Sequence, residues 1–110
     1  METPPNAVVL LPDGKMQLLD HTPILTEAQR LVSGFIEVLM SPEVKYEILI
    51  NEDGHILDMT PSKWTAFLRR HAFWWLSRPA VGTMVLLPAS SGSLSAELVQ
   101  ELQEFSHSLD

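Results

Sequence analysis

The sequence predicts an α+β fold: a single small domain, residues 1–110, in which three helices pack on a largely antiparallel sheet of about five to six strands. Three observations carry this expectation. Two hairpin signatures recur, "LLPDGKMQLL" and "LINEDGHILDM", each with Asp-Gly between apolar runs. Other segments show the three-to-four-residue apolar spacing of helices, in the order strand, strand, helix, three strands, helix, strand, helix. A chain of 110 residues, 45% hydrophobic, is the size of one domain with one modest core.

Each element has a local reason. Strands at Ala7–Leu11 and Lys15–Leu19 flank Asp13-Gly14, a pair that tolerates the positive φ of a tight turn. "LTEAQRLVSG" predicts a short helix with Ala28, Leu31 and Val32 on its apolar side. Thr26 is placed to cap it, Gln29 to complete a capping box, and Gly34 to make the left-handed stop. "FIEVLM" and "YEILIN" carry apolar groups on both faces, which predicts central strands around the turn "SPEVK". Asp53-Gly54 turns the chain into a short strand at His55–Met59. The likeness of the two hairpin segments reflects a shared turn recipe rather than duplication.

Between Pro61 and Pro79 the spacing predicts a helix over Ser62–Arg78. "VGTMVLLP" is a last, β-branched strand, and residues 89–93, "ASSGS", form a short flexible linker. The closing helix takes its cap from Ser93 or Ser95. Leu94, Leu98, Leu102, Phe105 and Leu109 make one stripe, with Glu97, Glu101 and Glu104 away from it.

Charge is unevenly placed along a chain of net −7. Residues 1–60 hold ten carboxylates against Lys15, Arg30 and Lys45. Residues 61–90 hold Lys63, Arg69, Arg70 and Arg78 with no acid, and residues 91–110 return to four acids. The ordinary expectation for such a basic island is ion pairing with acidic parts of the same fold or of a second copy. Nucleic-acid binding through the basic aromatic helix 62–78 is the alternative, disfavoured by the overall negative field.

Several function classes find no support. Apolar runs such as Met84–Pro88 are far too short to span a membrane, and the first residues lack the basic and long apolar regions of a signal peptide. With no cysteine there is no disulfide and no thiolate site, so a cytoplasmic protein is expected. His21, His55, His71 and His107 lack the spacing of a metal pair, and Glu52, Asp53 and Asp58 do not follow a calcium-loop pattern. No G-x-S-x-G elbow, S-x-x-K pattern or Gly-rich phosphate loop occurs. Adjacent strands could bring together Glu37, Glu47 and His55, but solvated sheet residues are the ordinary outcome. The expectation is a non-enzymatic protein with no cofactor and no metal.

The distinctive stretch is "RRHAFWWLSRP", Arg69–Pro79. With Trp64 at zero on a helical wheel, Trp75, Leu68 and His71 fall within about 40° and Phe67, Trp74 and Ala72 within about 80°. That predicts a core face, which could also pair two copies through the tryptophans. Phe73 falls about 180° away, between the sides bearing Arg69 and Arg70. A partner-binding patch of Arg69, Arg70, Phe73 and Trp74 is therefore expected.

The runs "LVSGFIEVL" (Leu31–Leu39), "ILINEDGHILDMTP" (Ile48–Pro61) and "AVGTMVLLP" (Ala80–Pro88) carry a resemblance. Together they resemble a family of small domains found in bacteriophages, plasmids and other bacterial mobile elements. Its members read as a hairpin, a helix ending in Gly-Gly-Tyr/Phe-Ile-Glu-Val, an acidic E-E-G-K hairpin and a V-G-x-V-V-L strand before a final helix. The similarity runs from about Ala7 to Phe105. Ser33 stands where the first of the two glycines would be, and Lys63–Arg78 replaces a short polar loop. The family has no defined activity, so no catalytic residue carries over. The resemblance implies a mobile-element protein that binds a host protein, for instance as an inhibitor of a host defence system.

Overall fold

The structure, a computed structural model, describes residues 4–89 and 93–109. Its elements follow in the order β1 (Ala7–Leu10), β2 (Met16–Leu19), α1 (Leu25–Val32), β3 (Ile36–Met40), β4 (Tyr46–Asn51), α2 (Thr65–Arg70), β5 (Met84–Pro88) and α3 (Ala96–Ser108). The five strands form one sheet in the order β2-β1-β5-β4-β3, every neighbouring pair antiparallel. This is the α+β domain that the sequence predicts. Most of the predicted linker, residues 90–92, lies outside the described residues. Among the described residues no helix is long and apolar enough to cross a membrane.

Strand alternation sorts the core into two layers. Val8, Leu10, Tyr46, Ile48, Met84 and Leu86 face one way, against Trp64, Phe67, Leu68, Leu94, Val99 and Leu102 of α2, α3 and their flanks. Ala7, Val9, Leu49 and Val85 face the other way, against Ala28 and Val32 of α1. β1 is consequently buried at every position, as a strand covered on both faces must be. Ser95 caps α3 by accepting the Leu98 N–H at 3.1 Å, and Ser106 Oγ donates to the Gly14 carbonyl at 2.7 Å. The Trp64 indole donates to the Lys15 carbonyl at 3.2 Å, so the first hairpin is tied to both helices on that face.

Several expectations need correction. β3 is an edge strand, not a central one: α1 carries the chain from the β2 edge to the opposite edge, where β3 pairs with β4 alone. No strand forms at 55–59, because the backbone there closes on itself. Leu57 N–H donates to Asp53, Asp58 to His55 and Met59 to Gly54, and Asp58 takes a φ of 55°. Only a bridge between Pro61 and Val81 extends the sheet there.

α1 begins two residues earlier than its sequence suggests. Ile24 is the N-cap, without a side-chain bond, and Thr26 lies within the helix where it cannot cap. Ser33, not Gly34, makes the left-handed stop, at φ 67°. Gly34 serves a different need. A Cβ there would sit 2.6 Å from Asn51 Nδ2, the buried amide that donates to the Val32 carbonyl at 3.1 Å.

Candidate functional site

The segment after Pro61 leaves the sheet and returns to it at Ala80, and its base is clamped. Ser62 N–H donates to the Ala80 carbonyl at 2.8 Å, while Thr65 Oγ1 accepts the Ala80 N–H at 3.0 Å and donates to the Ser62 carbonyl at 2.8 Å. Within this clamp α2 lasts only from Thr65 to Arg70, instead of running to Arg78 as expected. His71 N–H reaches back to the carbonyls of Phe67 and Leu68, and Phe73 N–H closes onto Leu68 at 2.8 Å. Ala72 between them takes a φ of 133°, which breaks the helical phase.

That break reverses the expected orientations. Phe73 is 0% exposed and Trp75 is 44% exposed, so Phe73 is the core residue and Trp75 the outer one. A wheel carried past Arg70 assumes a helix that is no longer there. Phe73 therefore does not belong to an outward patch. Trp74, 68% exposed, does, together with the exposed Arg69, Arg70 and Arg78. The run His-Ala-Phe-Trp-Trp is poor in strong helix formers, the one local signal that could have marked the early stop.

The buried ring acts as a pillar. Phe73 packs on Tyr46 with centroids 6.0 Å apart, and Trp75 tilts onto Phe73 at 5.8 Å. Trp74 Nε1 donates a long bond of 3.4 Å to Glu43 in the β3–β4 turn. Arg69 Nε donates to the Leu76 carbonyl at 3.2 Å, bracing the loop. Among the described residues no lysine or arginine lies within 4.0 Å of a carboxylate. Among the described residues the basic island is thus not spent on ion pairs within one copy of the fold, the first of the two pairings expected.

Beside Trp75 runs a groove of about 320 Å³ between residues 75–81 and strands β3 and β4, lined in part by Glu37, Glu52, His55 and Arg78. It brings Glu37 and His55 to one place. Glu47, however, registers with Met40 and Leu87 on the opposite sheet face, so the trio is not assembled.

A second cleft, of about 400 Å³, lies between the start of β4 and α3. The Tyr46 hydroxyl is buried beside it, with no hydrogen-bond partner among the described residues. Burial first, and then the charge of Glu101, push this phenol up to about 12, so it stays protonated. His71 stacks on Phe67 with centroids 4.0 Å apart. Its Nδ1 meets the Phe67 carbonyl at 2.9 Å, an acceptor only, so Nδ1 carries the hydrogen. Nε2 faces Glu101 at 3.1 Å. With both nitrogens engaged, the ring is a strut between α2 and α3 rather than a free base.

Among the described residues no hydroxyl in either cavity is hydrogen-bonded to a histidine or carboxylate. Among the described residues no three of His, Asp and Glu gather as a metal-binding group. What the surface does offer is two exposed indoles consecutive in the chain, next to the buried Phe73, with the exposed Arg69, Arg70 and Arg78 on the same segment. Compared with protein-family models, with curated proteins and with solved structures, the chain matches none.

Proposed function

We propose that this chain is a non-enzymatic binding protein that docks on another protein through Trp74 and Trp75, with Arg69, Arg70 and Arg78 of the same segment. The single observation that supports this is the exposure of two neighbouring tryptophans, 68% and 44%, on a loop whose base is clamped and whose Phe73 is fully buried. Water-facing indole costs hydrophobic free energy, about 25 cal/mol per Å² left unburied, and folding has not removed it. Tryptophan and arginine dominate the centres of protein interfaces because each brings large contact area with a directional polar group. A rigid loop adds to this by lowering the ordering cost of docking.

The partner suited to this surface has an apolar pocket whose rim is acidic where it meets the arginines and not where it meets the glutamates. Glu37, Glu43 and Glu52 lie close to the indoles, which favours a protein over nucleic acid, since carboxylates beside a stacking platform repel phosphates. The resemblance to mobile-element domains extends the proposal: the partner is a host protein in the cytoplasm, and binding inhibits it, as in counter-defence.

The test is affinity capture from host lysate with the native chain, with Trp74→Ala/Trp75→Ala and with Arg69→Glu/Arg70→Glu. Captured proteins are then purified and titrated calorimetrically at two salt concentrations. The proposal expects at least one partner to be lost, by tenfold or more in affinity, in the tryptophan variant. Variants that keep every partner overturn it, as does tight binding to single- or double-stranded DNA with a steep salt dependence.

A further inference from the structure

We infer that β3 is a self-pairing edge, and that two copies of this chain join through it into one continuous sheet. The direction of its backbone follows from one bond: the Phe35 carbonyl accepts the Glu52 N–H at 2.9 Å. In an antiparallel strand successive residues turn their N–H and C=O groups to opposite sides. Phe35, Glu37 and Leu39 therefore spend theirs on β4, and Ile36, Val38 and Met40 turn theirs outward, where the described residues add no further strand.

Natural edges are usually protected by lysine, proline, a bulge or a covering element. Ile36–Met40 carries none of the first three, and among the described residues β4 is its one neighbouring strand and no other backbone hydrogen bond reaches Ile36, Val38 or Met40; Val38 is 44% and Met40 65% exposed. The opposite edge differs. β2, whose outward-turned residues are Met16 and Leu18, is flanked directly by Lys15 and Asp20.

The occupant is a second copy because the strand is complementary to itself. In an antiparallel pair centred on Val38, Val38 opposes Val38 of the second copy, and Ile36 opposes its Met40. All three residues are outward-turned, so each pair exchanges both backbone hydrogen bonds. On one sheet face Ile36, Val38 and Met40 meet as an apolar row. On the other, Glu37, the only charge in the strand, opposes Leu39 of the second copy rather than another carboxylate. The two-fold axis stands perpendicular to the sheet, so like faces of the two copies lie on the same side. Trp75, which lines the groove with Glu37 and Leu39, flanks the seam on that side in both copies. The net charge of −7 per chain opposes this pairing, which makes the dimer salt-dependent.

Sedimentation velocity over a concentration series, in low and in raised salt, tests the inference on the full chain. The expected result is a monomer–dimer equilibrium that tightens severalfold in raised salt and weakens more than tenfold in Val38→Lys. The chain has no cysteine, which permits a second arm that does not depend on that variant folding. Opposed Cα atoms of a hydrogen-bonded pair lie about 5.5 Å apart, within disulfide reach. Oxidised Val38→Cys is therefore expected to run as a covalent dimer, and Leu18→Cys, outward-turned on the other edge, is not. A monomer at every concentration without a Val38→Cys link overturns the inference. So does a dimer that survives Val38→Lys, or one that Trp74→Ala/Trp75→Ala dissociates while Val38→Lys does not.

Discussion

The ring of Phe73 rests 6.0 Å from the ring of Tyr46, and this contact decides which way the neighbouring tryptophans face. Phe73 fills the space over β4 that a continuous helix would have given to Trp75. Stability and binding therefore belong to different members of one aromatic run. Phe73→Ala is expected to cost about 3–5 kcal/mol of folding free energy in urea denaturation, the range for a fully buried aromatic. Trp74→Ala is expected to cost less than about 1 kcal/mol, because its indole is already in water. Equal losses at the two positions would contradict the division.

Adjacent positions at the end of α1 should respond with opposite signs. Ser33 holds φ 67°, a conformation that glycine adopts without a Cβ penalty. Ser33→Gly is expected to stabilise by about 0.5–1 kcal/mol. Gly34→Ala instead drives a methyl into Asn51 and breaks its bond to the Val32 carbonyl, a loss of about 1–3 kcal/mol. Thermal denaturation of the two variants reads both signs.

The Tyr46 hydroxyl is buried without a partner among the described residues. Leaving such a group unpaired costs about 1–3 kcal/mol, so Tyr46→Phe is expected to be neutral or stabilising by about 1 kcal/mol. A clear destabilisation would mean that the hydroxyl is bonded in solution, to water or to a ligand in the adjoining cleft.

His21 supplies the pH dependence. Its bond to Asp20, at 3.1 Å, and its contacts with Glu27, at 3.0 Å, raise its pKa above the ordinary 6.5. The folded state thus holds the proton more tightly than the unfolded state. The stabilisation is full below 6.5 and is lost as pH rises through the raised folded value. An NMR titration is expected to place the His21 midpoint above 6.5 and to bring it back toward 6.5 in Asp20→Asn/Glu27→Gln. A midpoint unchanged by those substitutions would show that the contacts do not form.

The sequence by itself determined the α+β class, the first hairpin, β4, the closing helix with a cap at Ser93 or Ser95, and the absence of any catalytic motif. These rest on alternation, helical spacing and turn chemistry, which are local and survive whatever the rest of the chain does. Only the tertiary structure decided that β3 is an edge, since both faces of that strand are apolar and nothing local records which strand comes to lie beside it. The same holds for Arg69–Pro79. Arg69, Arg70 and Trp74 were legible as a surface, but the assignment of Phe73 outward and Trp75 inward assumed a helix running to Arg78, and the helix stops at Arg70. The stop comes with a clamp between Thr65 and Ala80 and with Phe73 packing on Tyr46 of the sheet. Contacts between residues so distant in the chain leave no periodic trace in it, and a positive φ at an alanine leaves none either.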